Sequence, residues 1–132
     1  MRRIPDNVRR QLANDPFMWA CIHQQFKLGP CECDGRIEWH HPFIYAGKQI
    51  VDAWATVPLC SYHHREALNS DFARYVALLR ATDDDLAQYP RTNWAHMKRR
   101  LQTIYGEYTI ERAEWLSDYA RYLGGAFDWT GA

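Results

Sequence analysis

The stretch that decides the fold runs from Cys31 to His64. It contains Cys31-Glu32-Cys33, then Glu38-Trp39-His40-His41-Pro42, then Pro58-Leu59-Cys60-Ser61-Tyr62-His63-His64. Seven cysteine and histidine side chains fall within about a quarter of the chain. Nitrogen and sulfur ligands at such short spacings are the usual signature of a transition-metal site. Asp34-Gly35 is a hairpin-turn signal, and Arg36-Ile37-Glu38-Trp39 alternates polar and apolar, which predicts a strand. Pro42 pushes His41 toward an extended backbone and ends the pairing. Phe43 to Val57 reads as a loop with room for a second strand, and Pro58 leads into a helix over residues 61–69. Strand, loop, strand, helix is a ββα arrangement.

The spacings divide the cluster into two jobs. Neighbours on a helix diverge by about 100°, so His63 and His64 face different partners. Cys60 and His63, three apart at a helix start, can converge on one ion, and Cys31 and Cys33 can complete a closed tetrahedral site from the preceding hairpin. That donor set is the structural zinc pattern, and so small a unit needs such a staple. Cys31 and Cys33 are closer than the usual knuckle spacing, which leaves Cys21 or His23 as a replacement for one of them. Cys21 also fits a plain buried hydrophobe. His40, His41 and His64 remain. They either pack as satisfied core histidines between Trp39 and Phe43, or form an open metal site with a general base. A neutral imidazole with an ordinary pKa of about 6.5 suits proton removal from water. Neighbours on an ideal strand point to opposite faces. His40 and His41 therefore reach one centre only if the strand ends, twists or bulges beside Pro42.

These residues, with Ile44-Tyr45-Ala46-Gly47-Lys48-Gln49 between them, resemble the HNH nucleases of the ββα-metal, or His-Me finger, superfamily. The resemblance covers about residues 31–68 and extends to small HNH proteins of bacteriophages and prophages. It implies a DNA endonuclease in which His41 is the general base and His40 and His64 bind a catalytic Mg²⁺ or Mn²⁺. It matches Cys31, Cys33, Cys60 and His63 to the structural zinc ligands. The implied partner is DNA, in phage recombination, replication or packaging, and the implied compartment is the cytoplasm of a bacterial host. Two positions depart from the pattern. Ala55 stands where the family carries an asparagine that orients the base, with Gln49 or Thr56 as substitutes. Leu68 stands where some members have a further histidine.

The remaining chain supports an α+β class: a zinc-stapled ββα unit followed by a mainly helical C-terminal region. With 132 residues, one domain is expected, read as a helical lead over 1–30, the metal unit over 31–69 and helices over 70–132. Asp15-Pro16 is a helix start, and Gly29-Pro30 breaks the chain. Phe72, Tyr75, Val76 and Leu79 share one helical face. Thr82 before three aspartates is a capping signal. Thr92 and Thr109 are read as caps of two later helices, the first carrying Trp94, Met97, Leu101, Ile104 and Tyr105. No apolar run is long enough to span a membrane, and the lead has no secretory pattern, so a cytoplasmic location is expected.

The formal net charge is zero, from 16 basic and 16 acidic residues. That argues mildly against a strong non-specific nucleic-acid binder. It favours, with Ala55, the alternative of a zinc-stapled nucleic-acid or protein binding module without catalysis. Lys98-Arg99-Arg100 with Arg91 can form a local basic face, or a solvated helix surface of mixed charge. The helices leave a homodimer open.

Overall fold

Short helical pieces lead into the sheet. The computed structural model describes residues 3–26, 36–66 and 71–106. Helix α1 (Asp6–Ala13) buries Leu12, and Asp15 then caps a 3-10 turn over Pro16–Trp19 by accepting from Phe17 N at 3.0 Å. Asp15-Pro16 thus starts a tight turn rather than a long helix, and α2 (Ile22–Gln25) follows at once.

Strand β1 (Ile37–His40) stops where Pro42 requires. A hairpin, β2 (Ile44–Tyr45) and β3 (Lys48–Gln49), turns on Ala46 and Gly47 at φ 51° and 81°. Two consecutive left-handed residues make the primed turn that matches strand twist. The turn is free at Gly47 and strained at Ala46. Strand β4 (Val57–Cys60) pairs antiparallel with β1, placing Ile37 opposite Cys60 and His40 opposite Val57. Pro58 fits this two-stranded ladder because each strand has an open edge. Helix α3 (Ser61–Glu66) begins directly after β4.

Helices α4 (Asp71–Arg80), α5 (Asp83–Ala87) and α6 (Trp94–Tyr105) complete the described chain. Helix α5 opens with a full capping box: Asp85 N donates to Thr82 Oγ1 and Thr82 N to Asp85 Oδ2. Helix α6 is capped by Asn93, which accepts from His96 N at 3.0 Å, and not by Thr92. Both types cap well, and the first helical residue, Trp94, selects its immediate neighbour. Ile104 also departs from the expected α6 stripe: it is exposed, whereas Leu101 is fully buried. The expected helix from Thr109 lies outside the described residues.

A single hydrophobic cluster joins Leu12, Phe17, Met18 and Ile22 to Val57 and Leu59 of β4 and to Phe72, Val76 and Leu79 of α4. Phe43, Trp54 and Trp94 meet at 5.4–5.9 Å between ring centres and tie α6 to the loop after β1. The chain is a mixed α+β fold of six α-helices with two small two-stranded antiparallel sheets among its described residues. No described helix is long and apolar enough to cross a membrane.

Candidate metal and histidine centres

Period-two geometry sets one side of the site. On β1, Glu38 and His40 share a face, while Ile37 and Trp39 pack against the core. Helix α3 answers with Ser61 and His64, three apart and therefore on one side. The Glu38 carboxylate accepts from Ser61 Oγ at 2.9 Å and from His64 Nδ1 at 2.7 Å. A carboxylate only accepts, so His64 donates from Nδ1. These hydrogen bonds, His64 first and then Ser61, hold the Glu38 carboxyl below its ordinary range.

His40 lies beside His64, with ring centres 5.2 Å apart and planes at 66°. Two imidazoles bound near 2.1 Å to one ion at a tetrahedral angle place their ring centres about 5 Å apart. The His40 and His64 ring centres stand at a similar separation. Burial first, then the neighbouring His64, His41 and Arg74, pulls the His40 imidazole down to about 4. Arg74 reaches this corner from α4, donating from Nε to the Pro42 carbonyl at 3.1 Å and from NH1 to Asp71. The same Asp71 carboxylate also accepts from Arg100 of α6.

His41 follows β1 rather than belonging to it, which removes the opposite-face objection. Its ring is buried, and burial with the nearby His64 lowers its pKa. His41 Nδ1 lies 3.2 Å from Thr56 Oγ1, and that hydroxyl donates to the Asp52 carbonyl at 3.0 Å. With its single proton committed, Thr56 Oγ1 accepts from His41 Nδ1 and leaves Nε2 of His41 unprotonated. Thr56, one of the two substitutes named for the asparagine at Ala55, is thus the partner of His41. Gln49 stands on β3, and Ala55 is fully buried in a 3-10 turn over Ala53–Ala55.

The second centre lies on the other side of α3. Cys60 Sγ is 3.1 Å and Cys21 Sγ 3.5 Å from His63 Nδ1, and His63 N donates to Cys60 Sγ at 3.4 Å. Ligands at about 2.3 Å (sulfur) and 2.1 Å (nitrogen) from a tetrahedral ion stand about 3.6 Å apart. The group Cys21, Cys60 and His63 can therefore hold a metal ion. Cys21 is fully buried, as a small hydrophobe would be, yet its sulfur belongs to this group. Burial pushes its thiol up, against backbone N–H donation from Cys60 and His23 that pulls it down. His23 stacks flat on His63, with ring centres 4.0 Å apart and planes at 5°. That spacing is too close for two ligands of one tetrahedral ion, so His23 covers the His63 ring instead. Burial, then His63, lowers His23 to about 4. Cys31 and Cys33 lie outside the described residues.

Sequence reasoning did not single out Glu38 as a site residue. Its signal was the two-residue spacing from His40 on a strand that also faces the helix. No family model, curated protein or solved structure matches the chain.

Proposed function

We propose that the chain is a metal-dependent endonuclease that hydrolyses DNA phosphodiester bonds, on a zinc-stapled ββα-metal unit formed by β1, β4 and α3. The observation that carries the reading is the paired orientation of His41 and His64. Thr56 and Glu38 accept from Nδ1 of these two rings, which in the neutral tautomer leaves Nε2 of each available as base or ligand.

In this mechanism His41 Nε2 accepts the proton of the water that attacks phosphorus, a general-base role. Its depressed pKa keeps the ring neutral and able to accept at neutral pH. His40 and His64 would hold the divalent ion, Mg²⁺ or Mn²⁺, and the Glu38 carboxylate, which accepts from His64 Nδ1, would fix that ring for the task. When bound, that ion neutralises charge on the phosphate and on the leaving 3′ oxygen. Arg74 adds positive charge on the same side. Cys21, Cys60 and His63 bind a structural zinc, with the remaining position open to Cys31 or Cys33. The zinc group and the histidine centre share α3, so binding at Cys60 and His63 also sets the direction of His64.

The test is cleavage of supercoiled plasmid with added Mg²⁺ or Mn²⁺, comparing the native protein with His41→Ala. Metal-dependent nicking or linearisation lost in His41→Ala is expected. Two proteins equally active would refute the assignment of cleavage to this site, and both inert across metals and substrates would refute the reading in favour of a zinc-stapled binding module. Zero net charge favours that module.

A further inference from the structure

The buried ion pair between Asp15 and Arg80 has no part in the two centres, yet it ends on the residue that orients His41. Arg80, at the C-terminal end of α4, is 2% exposed. Its NH2 donates to Asp15 Oδ2 at 2.9 Å, its NH1 donates to the Thr56 carbonyl at 2.9 Å, and its guanidinium lies 4.0 Å from the Phe17 ring centre. Thr56 is held elsewhere by its own N–H to the Ala53 carbonyl and by its hydroxyl to the Asp52 carbonyl. A well-packed apolar pair of similar volume often replaces a buried ion pair without loss of stability. Stability alone therefore does not account for a fork aimed at this carbonyl. What the fork supplies is an anchor on the Thr56 backbone, and the side chain on that backbone holds its hydroxyl 3.2 Å from His41 Nδ1.

We propose that Arg80, oriented by Asp15, is a positioning residue for His41: it locks Thr56 so that His41 keeps its proton on Nδ1 and offers Nε2. As a mechanistic role this rests on the nuclease reading, but its geometric half can be read without turnover. The Asp15 side of the link also caps the 3-10 turn that leads to Cys21, so one buried pair joins the segment carrying a metal ligand to the support of the base.

Removing Arg80 alone takes from the buried Asp15 carboxylate its ion-pair partner, so the test uses the double variant Asp15→Leu/Arg80→Met, with Arg80→Lys as the conservative one. The readouts are the ¹⁵N signature of the His41 ring, which distinguishes the two tautomers, and the kinetics of plasmid cleavage, with urea unfolding to confirm a folded state. The native ring is expected to carry its proton on Nδ1. In the folded double variant a mixture of tautomers is expected, with kcat lower by about tenfold, the bias that one hydrogen bond supplies, and KM within twofold. Arg80→Lys should restore much of both. A folded double variant with the native tautomer and native kcat overturns the inference and leaves the nuclease reading standing. If the native protein cleaves nothing, the nuclease reading falls, and the tautomer comparison still decides whether Arg80 orients the ring.

Discussion

Replacing Thr56 by valine removes one hydroxyl that lies 3.2 Å from His41 Nδ1 and donates to the Asp52 carbonyl. Thr56 is 0% and His41 7% exposed, so no water stands ready to replace the lost acceptor. Valine keeps the shape and leaves little cavity, and the change isolates the hydrogen bonds to His41 Nδ1 and the Asp52 carbonyl. Stranding a buried donor costs about 1–3 kcal/mol. Part of that cost appears as stability, and part is relieved when the ring moves its proton to Nε2, the atom the mechanism needs bare. A bias of that size corresponds to a factor of about 5 to 150 between tautomers, so cleavage should fall within that range while metal binding at Cys21, Cys60 and His63 persists. Urea unfolding and plasmid nicking measure the two parts, and Thr56→Ser, which retains the hydroxyl, should recover most of the activity. Native stability and native cleavage in Thr56→Val would refute the assignment of Thr56 as the orienting group.

Three other outcomes follow from the same geometry. Glu38→Ala leaves His64 without its Nδ1 partner and should weaken Mn²⁺ binding at the histidine centre by about 10- to 100-fold; calorimetry showing native affinity would remove Glu38 from the site. The pure protein should carry about one tightly held zinc per chain, and Cys21→Ser should lose it; full zinc retention in that variant would return Cys21 to the role of a buried hydrophobe. Stability should also fall in acid. His23 and His40 titrate near 4 in the folded chain, against about 6.5 when unfolded, so the unfolded chain takes up protons first. Their contribution is complete above about pH 6.5 and is lost as pH drops toward 4; a urea midpoint that stays level across that window would contradict the burial of the two rings.

Local signals carried much of the fold and part of the candidate site. The alternation before Pro42 marks β1, the helical angle between His63 and His64 sends them to opposite centres, and Thr82 with its aspartates caps α5. What the sequence left open, as for Cys21, or concealed, as for Glu38, depends on distant pairing. Cys21 meets His63 across 42 residues, and Glu38 meets His64 across 26. Both contacts require the packed sheet and helix before either residue has a role. The Asp15–Arg80 pair spans 65 residues, and nothing in the local pattern around either residue points to the other. The opposite-face objection to His40 and His41 dissolved for a local reason that the sequence did hold, since Pro42 ends β1 between them. Ile104 shows the converse: helical period alone assigned it to the core, and the packing of α6 left it in solvent.

The central claim is that the His41 imidazole removes the proton from the attacking water. His41→Gly deletes the ring from a buried position and leaves a space of its shape, so added imidazole can occupy it. Metal-dependent plasmid cleavage should be lost in His41→Gly and partly restored by imidazole, with the restored rate following the neutral form of the added base. Cleavage by His41→Gly at the native rate without imidazole would contradict the account.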